Sequence, residues 1–235
     1  MITLYELCGA DRDLRFSPYA WRARLALHHK GLDYEAVPLR FSEIPAAPFA
    51  ATGAKTVPVI RDGGEWVADS WAIACHLEDR YPDRPSLFGG AKGRAHARFI
   101  NAWVDRTLVL GLFPLLAARI WDRLDPASQA YFRQSREARL GCTLEEAGRE
   151  REQKLKALRR ALSPLEATLK AQDFLGGEAP SYADYACAGP LIWAAMTGDF
   201  DPLEPDTATA RWRERIFSLH DALVARAVAR ARAAA

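Results

Sequence analysis

Residues 56–81 read TVPVIRDGGEWVADSWAIACHLEDRY. Two short β-prone runs, residues 56–61 and 65–67, flank Asp62-Gly63-Gly64, a turn signal that predicts a β-hairpin. Asp69 then stands where a helix would begin, with a carboxylate suited to cap it, and Tyr81-Pro82 stops that helix near Arg80. A hairpin delivering straight into a capped helix is one half of a small mixed α/β layer.

Upstream, the other half is legible. Residues 2–6 form a short apolar run suited to a strand. Residues 17–30 predict a helix with Ser17 as N-cap, Pro18 at its first position and Gly31 as its stop. Residues 34–39 predict a second strand, and residues 41–53, rich in Pro and Ala, carry no clear period. The order β-α-β, then ββα, lets strands 1 and 2 run parallel while strands 3 and 4 pair antiparallel. That is the thioredoxin-like arrangement, an α+β domain with a mixed four-stranded sheet. Residues 82–93 read as a Pro/Gly-rich linker. Everything beyond is helical in pattern: 91–123, with a kink expected at Pro114; 126–141; 144–172, with a boundary at Pro164; 181–196; and 207–234. Two domains are expected, residues 1–83 and an all-α unit over residues 92–235, and 235 residues suffice for both.

Composition bounds the chemistry. Hydrophobic residues make up 49% and charged residues 26%, as in ordinary globular chains. No apolar run on this reading approaches the length needed to span a bilayer, and residues 1–7 lack the basic start of a secretory signal, so no membrane role and a cytoplasmic location are expected. Net charge is +2, and no recognition motif accompanies it, which argues against nucleic acid. Cys8, Cys75, Cys142 and Cys187 are widely spaced with no CxxC pair, so neither a disulfide framework nor a metal site is expected.

Three short segments can carry chemistry. In Thr56-Val57-Pro58, a proline at a strand start or edge leaves the Val57 backbone open to a peptide-like ligand that adds as an extra strand; an ordinary edge proline reads the same way. Asp69 and Ser70 at a helix start are either plain caps or a site for the ammonium and carboxylate ends of one amino acid. Ser17 is either a plain cap or the donor, together with a helix N-terminus, that steadies a thiolate.

These segments, in this order, resemble those of the cytosolic glutathione transferases. Residues 17–27 (SPYAWRARLAL), 57–60 (VPVI) and 69–81 (DSWAIACHLEDRY) resemble that family's N-terminal motifs, and residues 174–184 (FLGGEAPSYAD) resemble its capping box for a core helix. The resemblance extends over essentially the whole chain. Residues 63–88, 135–152 and 174–185 are most similar to the bacterial β-etherase branch and its fungal relatives, which use glutathione to cleave β-aryl ethers from lignin.

The resemblance implies glutathione as co-substrate, with no metal. Ser17 would face its sulfur as the catalytic residue, Val57 would pair with its cysteinyl backbone beside a cis Pro58, Asp69 and Ser70 would hold its γ-glutamyl end, and Lys55 or Arg40 its glycine carboxylate. It implies a hydrophobic, aromatic electrophile between the domains, walled by Phe16, Tyr19, Trp103, Phe113 and Trp121, and a homodimer. Two other readings remain open: an omega-type thiol transferase using Cys8, which follows strand 1 directly, and a non-catalytic binding module on the same fold.

Overall fold

The computed structural model describes residues 1–233. Strands β1 (Ile2–Leu7), β2 (Tyr34–Leu39), β3 (Val59–Asp62) and β4 (Glu65–Ala68) form one sheet in the order β2-β1-β3-β4. β1 runs parallel to β2, and antiparallel pairs join β1 to β3 and β3 to β4. Helix α1 (Pro18–His29) makes the crossover between the parallel strands, and α2 (Ser70–Arg80) follows the hairpin. The parallel sense of β1 and β2 and the antiparallel hairpin of β3 and β4 are those read from the sequence; the structure adds that β3 lies beside β1. The stretch without a clear period holds two 3₁₀ turns, Phe41–Ala46 and Ala50–Thr52.

The second region is wholly helical: α3 (Ala91–Val104), α4 (Leu110–Asp122), α5 (Pro126–Leu140), α6 (Leu144–Ala147), α7 (Arg151–Ala161), α8 (Ser163–Ala171), α9 (Tyr182–Thr197) and α10 (Ala208–Ala233). The helix read over residues 207–234 ends, as far as it is described, at Ala233. Inside it residues 219–222 leave helical geometry, with His220, Asp221 and Ala222 all at φ between 53° and 55°. That conformation costs L-residues roughly 1–2 kcal/mol each.

Three sequence expectations need correction. The chain passes through Pro114 without breaking. The irregularity lies earlier, in a π-helical turn at Asp105–Val109 that links α3 and α4. A proline removes one ladder bond, whereas a π turn re-aims every side chain beyond it. Residues 144–172 break twice: at residue 162, before Pro164, and also between α6 and α7, where Glu150 adopts φ 54°. Finally, the continuous helix Ala91–Asp122 contains an 18-residue window of mean hydropathy 1.3, so an apolar run of membrane-spanning length does exist. Leu108, Leu112, Leu116 and Ile120 from it are buried in the core, which accounts for much of that apolarity.

α9 is the axis of the helical region. All but one of its 16 residues are buried. Its start is fixed by Asp184, whose carboxylate accepts from the Ser181 N–H (2.9 Å), the Leu175 N–H (2.7 Å), the Gly176 N–H (3.1 Å) and Trp212 Nε1 (2.9 Å). The reciprocal cap expected from Ser181 and Asp184 is present, and the carboxylate also ties in the preceding loop and α10. α9 packs against α1 so closely that a Cβ on Gly189 would overlap the Pro18 carbonyl oxygen and lie 3.2 Å from its carbon.

A second tie crosses the same contact. Arg22 of α1 is fully buried, 2.8 Å from the Asp105 carboxylate, and donates to Asn101 Oδ1 (3.2 Å), which also accepts from the Tyr182 hydroxyl (3.2 Å). A buried charge is tolerated only when paired and hydrogen-bonded. The network therefore locks the first turns of α1 to α3, the π turn and α9.

Candidate functional site

The first turn of α1 begins at Ser17, extended at φ −60° and ψ 122°. Its Oγ accepts from the Ala20 N–H at 3.3 Å, and its carbonyl accepts from the Trp21 N–H at 3.1 Å. Pro18 fills the first helical position, where its missing N–H costs nothing. Ser17 is 4% exposed and borders a cavity of about 650 Å³. Because Oγ accepts in the cap, its O–H hydrogen remains available to donate into that cavity.

The segments on either side of the hairpin contribute more of the lining. The Val57–Pro58 bond is cis. Val57 precedes the first paired residue of β3, so no ladder partner engages it, while the Pro58 carbonyl accepts from the Asp69 N–H at 3.2 Å. Asp69 caps α2: its Oδ1 accepts from the Trp71 N–H (3.0 Å) and the Ala72 N–H (3.1 Å). It does so at φ 80°, a strained conformation for a residue with a Cβ. Ser70 is buried beside it. Lys55, Val57, Pro58, Asp69 and Ser70 all line the same cavity as Ser17. Lys55 is exposed and has no ion-pair partner among the described residues. Arg40 is turned away, donating to the Ala10 carbonyl at 2.9 Å.

The remaining wall is apolar and comes largely from the helical region. Phe16, Tyr19 and Phe113 line it, as the sequence suggested. Trp103 and Trp121 do not. Trp121 is committed to helix packing, donating through Nε1 to the Gln129 carbonyl (3.2 Å) under the Arg133 guanidinium, and Trp103 packs against the core from α3. Their place is taken by Trp193 of α9, stacked on Phe113 with ring centroids 6.1 Å apart, and by Tyr131 and Phe132 of α5. Phe41 and Ile44 of the first 3₁₀ turn complete it. Sequence reading missed these because α9 is buried on every side, so no amphipathic stripe marks Trp193, and the 3₁₀ turn has no period. Tyr131 is exposed on α5, a property that only the structure shows.

Titratable groups divide cleanly. Burial, reinforced by the Asp105 carboxylate, pushes the Tyr19 hydroxyl up, so it stays protonated. Cys8 lies at the end of β1, buried and outside the cavity lining, and burial pushes its thiol up to about 11. It is a thiol at neutral pH and a poor nucleophile. Among the described residues, no group of three or more His, Cys, Asp or Glu side chains could hold a metal.

An open backbone, an amino-acid-sized cap and a hydroxyl at a helix N-terminus thus share one cavity with a set of aromatic side chains. Sequence and fold both match known proteins. The glutathione S-transferase N-terminal domain model matches residues 16–80, and the C-terminal domain model matches residues 95–229. A glutathione transferase structure from Phanerochaete chrysosporium is 30% identical, with a TM-score of 0.77 over 99% of this chain and 96% of that one. A glutathione S-transferase from Ceriporiopsis subvermispora, determined in complex with glutathione, is 26% identical with a TM-score of 0.77 over the same shares. A zeta-class glutathione S-transferase from Euphorbia esula is 38% identical over 76 residues, 30% of this chain and 33% of that relative, so the match spans only about a third of its length. Both halves of the fold are matched in order, the helical model alone over more than half of the residues, and this chain belongs to the glutathione S-transferase family.

Proposed function

We propose that the protein is a glutathione S-transferase that activates glutathione as a thiolate for attack on an aromatic electrophile. The observation that carries this is the convergence of Ser17, Val57, Asp69 and Ser70 on one cavity that is also lined by aromatic side chains. The complex of the Ceriporiopsis relative with glutathione supports the choice of ligand. The Val57 backbone pairs with the cysteinyl unit as a strand would. Asp69, with the α2 N-terminus and Ser70, holds the ammonium and carboxylate of the γ-glutamyl end. Lys55 reaches the glycine carboxylate. The sulfur then faces Ser17, whose hydroxyl and helix N-terminus lower its pKa, with the thiol proton passing to solvent.

Attack forms a carbon–sulfur bond, and the leaving group departs with its electron pair. In the finer reading, the electrophilic carbon lies beside an aryl ketone, a carbon–oxygen bond breaks, and a phenolate leaves; the likeness of residues 63–88, 135–152 and 174–185 to the etherase branch supports it. A homodimer belongs to the same reading. The Cys8 thiol-transferase alternative is disfavoured by the burial and raised pKa of that thiol.

The test is calorimetric titration with glutathione, followed by turnover with a β-aryl ether ketone, a chlorodinitrobenzene and a mixed disulfide. Phenol release from the ether supports the etherase reading, and conjugation of the chloroarene alone supports the transferase without it. Binding without turnover of any acceptor points to a binding module. Turnover of the disulfide alone overturns the proposal.

A further inference from the structure

The aromatic wall carries an unbalanced charge. Arg136 and Arg139 stand three residues apart on α5, on the face that also presents Tyr131 and Phe132 to the cavity, and both line it. The Arg136 guanidinium lies 5.1 Å from the Phe132 ring centroid and 5.6 Å from that of Phe41. Arg139 lies 5.7 Å from that of Phe113. Arg136 donates only to the neighbouring Ser135 Oγ, at 3.0 Å, and Arg139 has neither an ion pair nor a side-chain hydrogen bond among the described residues. The contrast within the helix is direct, since Arg133, one turn earlier, is held by Glu137 and Glu145 at 2.8 Å each. The two acids of the cavity are already engaged, Asp69 with the α2 N–H groups and Asp105 with Arg22. Two guanidiniums held within 6 Å of aromatic ring centroids and left without carboxylates make a cationic pair suited to an anion beside an apolar slot.

We infer that the second substrate is an aromatic carboxylate, its ring against Phe113, Phe132 and Trp193 and its carboxylate on Arg136 and Arg139. This rests on the transferase reading for the word substrate; the anion site itself does not. A suitable electrophile is 4-chloro-3,5-dinitrobenzoate. Glutathione sulfur bonds to the ring carbon bearing chlorine, the carbon–chlorine bond breaks, chloride leaves with its electron pair, and the thiol proton goes to solvent.

Two measurements separate the claims. Equilibrium binding of the unreactive pair 3,5-dinitrobenzoate and 1,3-dinitrobenzene to the full chain, without glutathione, tests the site. The wild type should prefer the acid, and the preference should weaken with added salt. The double variant Arg136→Gln/Arg139→Gln should bind the acid on the order of tenfold more weakly and the neutral compound within about twofold. Turnover with glutathione should repeat the pattern for 4-chloro-3,5-dinitrobenzoate against 1-chloro-2,6-dinitrobenzene, as a rise in KM for the acid alone. A wild type with no preference for the acid overturns the inference. So does a variant that loses both compounds equally, or one whose principal loss is affinity for glutathione. If the acid preference is present and arginine-dependent while no glutathione turnover occurs, the anion site stands and the transferase reading fails.

Discussion

Replacing Ser17 by alanine separates two roles that meet in one oxygen. As a cap, Ser17 is modest: its Oγ accepts from the Ala20 N–H at 3.3 Å, near the long limit of a hydrogen bond, and Pro18 still preorganises the first turn. Cap loss costs about 0.5–2 kcal/mol, and the long contact places Ser17→Ala toward the lower end, a fall in Tm of roughly 1–2 °C for a chain of this size. As a donor to sulfur it counts for more. A hydrogen bond to a charged group contributes about 1.5–3 kcal/mol. At 1.36 kcal/mol per pKa unit, losing it raises the pKa of bound glutathione by roughly 1–2 units. Below that pKa, the thiolate fraction and kcat/KM should therefore fall about 10- to 100-fold. The assay is ultraviolet thiolate absorbance of bound glutathione against pH, set beside the kcat/KM–pH profile. The acidic limb should move to higher pH in the alanine variant and return in Ser17→Thr, which keeps the hydroxyl. An unmoved limb with kcat/KM within about twofold of wild type would refute the role of Ser17 and leave the helix N-terminus as the sole stabiliser.

Other outcomes are as definite. Cys8→Ala should leave glutathione turnover unchanged, and Cys8 should resist disulfide reagents in the folded chain until the pH approaches about 11; rapid labelling at neutral pH would contradict its burial. Gly189→Ala should lower Tm even though alanine favours helix by about 1 kcal/mol, because its Cβ collides with the Pro18 backbone and overpacking costs about 1–3 kcal/mol; a raised Tm would show that the two helices can separate freely. Burial, then the nearby His28 and His29, lowers the His220 pKa to about 4, and burial lowers those of His28 and His29 as well. A base depressed in the folded state is protonated first in the unfolded chain, so His220 should make stability fall as pH drops from about 6.5 towards 4, by up to about 1.4 kcal/mol per pH unit, and His28 and His29 should add to the fall below about 6.5. His220→Asn, which tolerates the positive φ, should flatten that slope in urea titrations, and an unchanged slope would remove His220 from the acid response.

The parts of this molecule written locally were legible, and the parts written by packing were not. Ser17-Pro18, Asp69 and the Gly63-Gly64 turn each fix a backbone event within a few residues, so the four strands, their sense and both helices of the first region could be read directly. Ser17, Lys55, Val57, Pro58, Asp69 and Ser70 then meet at one cavity, each standing at the start of a helix or in the short lead into β3, positions that local sequence marks. The aromatic wall obeys no such rule. Trp121 and Trp193 are the same residue type on long helices, yet one packs between α4 and α5 and the other lines the cavity. Helical spacing assigns a face but not what the face meets. The π turn at residues 105–109 was equally hidden, since Pro114 drew the expectation of a kink to itself.

That π turn joins the two halves of the site. Asp105 lies at its start, lines the cavity and holds Arg22, one turn beyond the Ser17 cap. Gly189 lets α9, which carries Trp193, touch the carbonyl of Pro18, the residue after Ser17. The helix start that would steady a thiolate is therefore held by the same elements that shape the aromatic wall. Arg136 and Arg139 stand apart from this lock: both lie on α5, and among the described residues neither guanidinium bonds to α1, α3 or α9. Substitutions on the inner face of α5 can thus change which electrophile is accepted without moving the sulfur's surroundings. Substitutions at Arg22, Asp105 or Gly189 alter both at once, so they should depress turnover of acidic and neutral acceptors alike.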